Sequence, residues 1–426
     1  MRRIIIVLTL IMAGFMTSFS QFFNNGQIHG NFYVKSQTYN PDSIIGADTV
    51  PEKSRMNAYG NITYSNGGFS AGLRYEAYYN ALLGYDQNYK GSGIPYKFVQ
   101  YNKDNFDITL GNFYEQFGMG LILRTFEDQT LGYDNSLEGV RLKFNPYNGV
   151  YLKAIYGKQR YIFSLGEGIV RGFDTEIFLN QIFKQFSDAN TNVSFGGGFI
   201  SKFQEDNDPT LILPENVSAL SGRINVMHGN LGLNAEYAYK INDPSKDNRQ
   251  IYKSGQALNI NASYSQRGFS VLLAAKRIDN MSFRSERNAS LNNLNINYIP
   301  TTTKNHTYSL SSMYPYATQP NGEIELQGEV QYKIKKETLL GGLYGTDVTL
   351  NYSIVKSIDK QPVLVNGIEL LNVAGTDGYT SDFFTLGDEI YFQDFNVEIK
   401  RKINKNLKGT LSYLNIVYNK DVVEGV

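Results

Sequence analysis

The chain has 426 residues, with 40 Lys and Arg against 40 Asp and Glu, so its formal net charge is zero. This balance lacks the basic surface that nucleic-acid binding requires, so we exclude that class of partner. The chain has no cysteine, which excludes disulfide bonds and a lipid-anchored cysteine. Its 32 Tyr, 26 Phe and 40 Gly beside only 11 Pro are typical of many strands joined by polar loops.

The N-terminus predicts a secretory signal peptide. Two arginines precede an apolar run over Ile4–Phe15, and Ser18-Phe19-Ser20 supplies small residues at the positions that signal peptidase reads. The alternative is a transmembrane anchor, which needs about 20 apolar residues, more than this run contains. We therefore predict a cleaved signal peptide over 1–20 and a single exported domain over 21–426.

Alternation with a period of two residues recurs along the mature chain. It is clearest at 323–335, where apolar side chains occupy one face while charged and amide side chains occupy the other. Its length suits a tilted membrane strand, which needs about 9–11 residues. Similar segments lie at 28–38, 56–66, 69–77, 138–145, 148–158, 190–202, 230–239, 255–266, 268–278, 347–354, 389–401 and 406–418.

Short turns and long loops separate these segments. Short turns with Asn and Gly lie at 66–68, 145–149 and 228–230, as tight hairpins require. Short turns on one side with long loops on the other are typical of outer-membrane barrels. The long polar connections lie at 39–55, 80–95, 203–216, 241–254, 279–322 and 357–388.

These patterns predict an all-β fold, an antiparallel transmembrane β-barrel of roughly 16–18 strands. A soluble exported β-sandwich or adhesin is the alternative architecture. The chain ends at 421–426 without an aromatic final strand, and the segment before it lacks a hairpin partner. Either the strand count differs from this one, or the barrel is incomplete at its C-terminus.

The segment 111–124 is the most distinctive stretch and predicts one long strand. Asn112, Gln116, Gly118, Gly120 and Arg124 would then share its polar face, which in a barrel is the lumen. Glycines beside an arginine could leave space there for a solute or a neighbouring loop. The alternative is structural: the glycines form a bulge or bend, and the arginine pairs with a carboxylate.

Charged side chains fall on the polar faces of other strands as well. Arg74, Glu76 and Arg141 are further candidates for the lumen, because a charge facing lipid costs about 2–4 kcal/mol at mid-depth. Their mixed signs predict pairing across strands.

The segments 111–128 and 131–141 resemble a family of uncharacterised outer-membrane β-barrel proteins of the Bacteroidota. The similarity is strongest over 105–160. The resemblance implies a barrel in the outer membrane that is linked to transport, and it implies no activity, ligand or site residue.

The sequence contains no spacing of residues that is specific for a catalytic or metal-binding site. His29, His228 and His306 are widely spaced, and no His or carboxylate spacing suits a metal site. We therefore predict a porin-like or solute-transport channel rather than an enzyme, with outer-membrane lipid as its surroundings and no cofactor. A non-conducting barrel that scaffolds a surface or secretion complex, with protein partners at its long loops, is the alternative.

Overall fold

The computed structural model describes residues 26–186 and 190–425. The predicted signal peptide lies outside the described residues, so it stays a prediction, as does the single domain over 21–426. The chain divides into two compact units. Unit 1 comprises Met1–Tyr114, Phe126–Phe144 and Ile155–Gly166, and unit 2 comprises Glu115–Thr125, Asn145–Ala154 and Glu167–Val426.

Strands form most of the described chain. In order they are β1 (Gln27–Thr38), β2 (Ser54–Asn66), β3 (Phe69–Tyr79), β4 (Gly91–Lys103), β5 (Phe106–Phe113), β6 (Gln116–Phe117), β7 (Leu123–Arg124), β8 (Glu127–Asp128), β9 (Tyr133–Asp134), β10 (Leu137–Tyr147), β11 (Val150–Tyr161), β12 (Ser164–Phe178), β13 (Thr191–Phe203), β14 (Asn216–His228), β15 (Leu231–Lys240), β16 (Gly255–Gln266), β17 (Phe269–Asp279), β18 (Glu323–Ile334), β19 (Thr346–Ile358), β20 (Val363–Val365), β21 (Ile368–Leu370), β22 (Leu386–Lys402) and β23 (Lys408–Tyr418).

The helices in the described residues are short. They are α1 (Leu179–Ile182), α2 (Lys420–Glu424) and two 3₁₀ turns, Lys184–Phe186 and Lys246–Asn248. No helix in the described ranges is long and apolar enough to cross a membrane.

The long strands pair antiparallel with their neighbours along the chain. In unit 1, β1 pairs with β2, and the pairing continues through β3, β4 and β5 to β10. In unit 2 it runs from β12 through β13 to β19 in order, then to β22 and β23. The described residues contain seventeen such long strands, in agreement with the predicted 16–18.

The polarity of the strands is the reverse of that in a water-soluble protein. On β18 the carboxylates of Glu323 and Glu325 are 0% exposed, while Leu326 between the polar positions is 44% exposed. On β3 in unit 1, Arg74 and Glu76 are likewise buried while Leu73 and Tyr75 are exposed. A sheet with buried charges and an exposed apolar face is suited to a lipid surrounding.

The predicted fold class is therefore confirmed. The chain is all-β, and its antiparallel strands have the number, length and reversed polarity of a transmembrane β-barrel. The predicted tight turns are also found, since β2 and β3 are joined at Gly67-Gly68 and β14 and β15 at Gly229-Asn230. Gly67 and Gly229 both have positive φ, which these turns require.

The prediction of one long strand over 111–124 is wrong. β5 ends at Phe113, and only the two-residue strands β6 and β7 follow within this stretch. Gly118 and Gly120 have φ values of +51° and +90°, so the chain turns between β6 and β7 instead of staying extended. The structural alternative for these two glycines describes their backbone correctly.

The reversed polarity predicts that an introduced charge destabilises the protein at an exposed apolar position on a strand but has little effect at one in a loop. Leu273 is 55% exposed on β17, whereas Leu339 is 93% exposed in the connection between β18 and β19. We expect Leu273→Arg to lower the free energy of unfolding in lipid vesicles by about 2–4 kcal/mol. Leu339→Arg should change it by less than about 0.5 kcal/mol.

Urea titration of the two variants in vesicles, with folded protein scored by heat-modifiable gel mobility, measures the difference. If both arginines were tolerated equally, the apolar face would be in contact with water and the soluble-sandwich alternative would be favoured.

Candidate functional site

The polar face of unit 1 carries a buried network of charges. Arg74 on β3 donates to Glu76 at 2.7 Å and to Glu127 of β8 at 2.6 Å, and it also contacts Asp134 of β9. Arg160 on β11 donates to Glu76 and Asp134, each at 2.5 Å. Two guanidinium groups thus hold three carboxylates, and they attach the β8–β9 hairpin to strands of the sheet.

Tyrosine hydroxyls complete this network. Tyr78 donates to Glu76 at 2.8 Å, and Tyr114 donates to Asp134 at 2.9 Å. Burial raises the pKa of the Tyr114 hydroxyl well above its usual value, and the nearby Asp134 carboxylate raises it further. Burial also raises the pKa of Glu127, although Arg74 acts in the opposite direction. The network is enclosed and internally satisfied, which suits a structural role.

In unit 2 the segment Glu115–Thr125 packs against the polar face of the sheet. Its apolar side chains Phe117, Leu121, Ile122 and Leu123 are completely buried. The backbone N–H of Met119 donates to the Glu236 carboxylate of β15 at 2.6 Å. A Cβ at Gly118 would lie 2.3 Å from that carboxylate, so only glycine fits.

A second segment, residues 280–322 between β17 and β18, also packs against the polar face in unit 2. We call it the inner loop. Its first part is fixed by Lys240, which donates to the Ser282 carbonyl, and by contacts to the Glu115–Thr125 segment. The Asn297 side-chain amide donates to the Leu121 carbonyl at 2.9 Å, and the Arg124 backbone N–H donates to the Ile296 carbonyl at 2.9 Å.

A fully buried lysine anchors the middle of the inner loop. Lys276 on β17 contacts Glu323 at 3.1 Å and Glu325 at 2.5 Å on β18, and all three side chains are 0% exposed. Its ammonium also donates to the Pro300 carbonyl at 2.9 Å. Burial of these charges is tolerated because each has a partner of opposite sign, and the inner loop supplies two further acceptors, the Pro300 carbonyl and the Thr318 hydroxyl.

Beyond Pro300 the inner loop follows the carboxylates along the sheet. Thr301 donates to Glu325 at 2.6 Å, and Lys304 pairs with Glu329, four residues further along β18, at 2.9 Å. His306 lies 3.0 Å from Asp394 on β22. The loop then returns, because the Tyr316 hydroxyl donates at 2.5 Å to Glu323, the first residue of β18. Burial and the Glu323 charge raise the pKa of Tyr316.

The far end of the inner loop borders a polar cavity of about 630 Å³ within unit 2. Residues 304–308 and Ser311 of the loop form one side of this cavity. The polar faces of β18, β19, β22 and β23 and the β16–β17 turn form the other. This polar cavity lies within the range of about 300–1,000 Å³ that is usual for small-molecule sites.

The eight residues predicted for the lumen have different surroundings. Arg74 and Glu76 are brought together in unit 1, and in unit 2 Gln116 lies opposite Arg124 across β6 and β7. Arg141 donates to Thr109 at 3.0 Å in unit 1, and the side-chain oxygen Oδ1 of Asn112 accepts from the Lys97 backbone N–H at 2.9 Å. The others lie in the Glu115–Thr125 segment, with Gln116 exposed, Arg124 over the Tyr298 ring, and Gly118 and Gly120 at its turn.

The space beside the two glycines is filled by protein. Glu236 lies against Gly118, and the Tyr298 carbonyl lies 3.0 Å from where a Cβ of Gly120 would be. These glycines therefore admit neighbouring chain segments rather than a solute. That each of the eight residues faces a lumen stays a prediction.

Sequence reasoning missed the lysines that anchor the inner loop. Lys276 falls on the polar face of an alternating segment, so the alternation could have identified it. Lys202 and Lys240 pair with Asp243 and contact the Phe283 ring, and these partners lie in loops that carry no alternation. No group of three or more His, Asp or Glu side chains suited to a metal ion is found within 26–186 and 190–425.

The chain belongs to the DUF6029 family, a family of unknown function, whose sequence profile matches residues 1–426. No curated protein matches the sequence.

Several solved structures are similar to the chain at low sequence identity, among them the following three from Pseudomonas. A BenF-like porin from Pseudomonas fluorescens has 11% identity and a TM-score of 0.43, over 93% of this chain and 95% of that one. OpdK from Pseudomonas aeruginosa, solved with vanillate, has 10% identity and a TM-score of 0.43, over 92% and 94%. OprD from Pseudomonas aeruginosa has 13% identity and a TM-score of 0.43, over 94% and 89%.

The burial of the Lys276 cluster predicts a large cost when its cation is removed. Lys276→Met leaves Glu323 and Glu325 without their cation, and we expect the free energy of unfolding to fall by about 3–5 kcal/mol. The matched control is Lys333→Met, which removes a pair with Asp347 whose side chains are 53% and 56% exposed. The control should cost less than about 1 kcal/mol.

Urea unfolding in lipid vesicles, followed by tyrosine fluorescence, measures both free energies, because the chain has no tryptophan. Equal costs for the two variants would contradict the assignment of Lys276 as the buried anchor.

Proposed function

We propose that this member of the DUF6029 family is a porin-like channel for polar solutes in an outer membrane. The observation that carries the proposal is the reversed polarity of the strands, with charged side chains buried on one face and apolar side chains exposed on the other. The proposal does not depend on the likeness to solved porins, which is too weak to carry it. It retains export through the predicted signal peptide and a source among the Bacteroidota.

The inner loop forms the constriction of this proposed channel. It packs along the polar faces of β17, β18 and β22 and leaves the polar cavity beside its far end. A loop that is fixed to the wall by ion pairs can restrict the passage of solutes by size without closing it. The proposed activity is diffusion of small polar solutes, with no covalent chemistry, no cofactor and lipid as the surroundings.

A non-conducting scaffold is the second candidate. The observation that favours it is the close packing of the Glu115–Thr125 segment and the first part of the inner loop, where Leu121, Phe283 and Ile296 are at most 1% exposed. Such packing could also occlude a barrel. Protein partners at the long loops belong to this alternative.

Conductance separates the two candidates. Purified mature protein in a planar lipid bilayer should give discrete ion-current steps if it is a channel, and a folded, heat-modifiable protein without such steps would favour the scaffold.

Shortening the inner loop tests its role as the constriction. We expect replacement of residues 307–313 by Gly-Gly-Ser to raise the single-channel conductance, because these residues lie at the exposed far end beyond the His306 contact. The control is the same replacement at 364–369, in the exposed β20–β21 hairpin. It should leave the conductance unchanged, and an equal rise in both variants would contradict a specific restriction by the inner loop.

A further inference from the structure

The charges around the polar cavity are compensated in adjacent pairs. Each lysine that lines it contacts a carboxylate that also lines it, and the three pairs are Lys304 with Glu329 at 2.9 Å, Lys333 with Asp347 at 3.1 Å, and Lys400 with Glu398 at 2.6 Å. His306 has Asp394 as its partner at 3.0 Å. The cavity therefore presents no excess charge of either sign to a solute.

Hydroxyl and amide groups fill the spaces between these pairs. Ser270, Thr349 and Ser412 project from three different strands that border the cavity, and Asn305 and Thr307 face them from the inner loop. Within the described part of the chain, none of these five side chains makes a hydrogen bond to another protein group. Their donors and acceptors are thus available to a polar molecule in the cavity.

An aromatic ring completes the lining. Tyr308 of the inner loop borders the cavity and is 51% exposed. An exposed tyrosine offers a flat apolar face together with a hydroxyl, which suits a ligand that has both C–H faces and hydroxyl groups.

From these features we propose that the polar cavity binds an uncharged, hydroxyl-rich solute of about monosaccharide to disaccharide size. Paired charges repel neither sign strongly, but an ionic solute would lose part of its hydration without gaining a counter-charge. A neutral polyol loses less on entry, and it exchanges its water hydrogen bonds for those of the free hydroxyl and amide groups. This inference rests on the proposed channel function, and it names the class of solute for that channel.

Binding can be measured without conductance. Saturation-transfer NMR on the purified protein in detergent micelles compares three probes of similar size: glucose, anionic gluconate and cationic glucosamine. We expect saturable binding of glucose and weaker binding of both charged probes. Equal or tighter binding of either charged probe, or no binding of glucose, would overturn the inference.

Conductance on the same preparation keeps the two proposals apart. Ion-current steps without glucose binding would overturn the solute class and leave the channel intact. Glucose binding without current steps would overturn the channel and leave the cavity as a binding site.

Charge variants test the pairing itself. Glu398→Gln leaves Lys400 without its partner, so the cavity gains a positive charge, and binding of gluconate relative to glucose should rise roughly threefold. The matched control, Glu398→Gln with Lys400→Gln, restores neutrality and should restore the preference for glucose. If the double variant favoured gluconate as strongly as the single variant, charge compensation would not set the selectivity.

Discussion

The requirement that buried charge be paired governs this structure. An apolar face toward lipid forces the ionisable side chains of each strand onto the opposite face, where chain segments that pack against the sheet remove many of them from water. Lys276 with Glu323 and Glu325 shows the outcome, since a cation on β17 lies between two carboxylates of β18 and all three are inaccessible. Removing one member would leave a bare charge in a site of low polarity.

The same requirement determines where the inner loop lies. The carboxylates of β18 receive partners both from the sheet and from the loop: Glu325 from Lys276 and Thr301, and Glu329 from Lys304. The inner loop and the polar face of the sheet therefore form one network of hydrogen bonds and ion pairs. The loop is held in place because it supplies partners to the carboxylates of β18. Unit 1 repeats the principle, since Arg74 and Arg160 hold the carboxylates of the β8–β9 hairpin.

The elements that follow alternation were predictable, and those where the chain approaches itself were not. β18 and β3 were identified because their apolar and polar residues separate cleanly. β12 was missed, since glycines interrupt its polar face, and at Gly168 a Cβ would lie 2.1 Å from the Ser285 carbonyl of the inner loop. A glycine on a polar face indicates that another segment of the chain approaches closely. Gly118 and Gly120 have this role too, so the strand predicted over 111–124 is interrupted there.

The pairing register of the strands was the second property of the site that the sequence could not predict. Alternation gives the face of Lys276 but not its partner, which depends on Lys276 lying opposite Glu325 across β17 and β18. Loop partners such as Tyr316 and Asp243 follow no periodic pattern. The sequence therefore predicted the strands that border the site but not the loop residues that pack against them.

The ion pairs of unit 2 differ in their exposure to solvent between the packed segments and the polar cavity. Lys276 and its carboxylates are 0% exposed, whereas Lys333 and Asp347 beside the polar cavity are 53% and 56% exposed. A buried pair stabilises the packed segments only while water is excluded from it. Water would screen the attraction between the two charges, and this attraction offsets the free-energy cost of their desolvation. A half-exposed pair loses little hydration and therefore holds no segment in place. Of the pairs that line the cavity, Lys333–Asp347 is hydrated, whereas Lys304–Glu329, which fixes the loop, is only 22% and 16% exposed. Water and small polar solutes can therefore occupy the cavity beside the hydrated pair without breaking the Lys276 contacts that hold the middle of the inner loop.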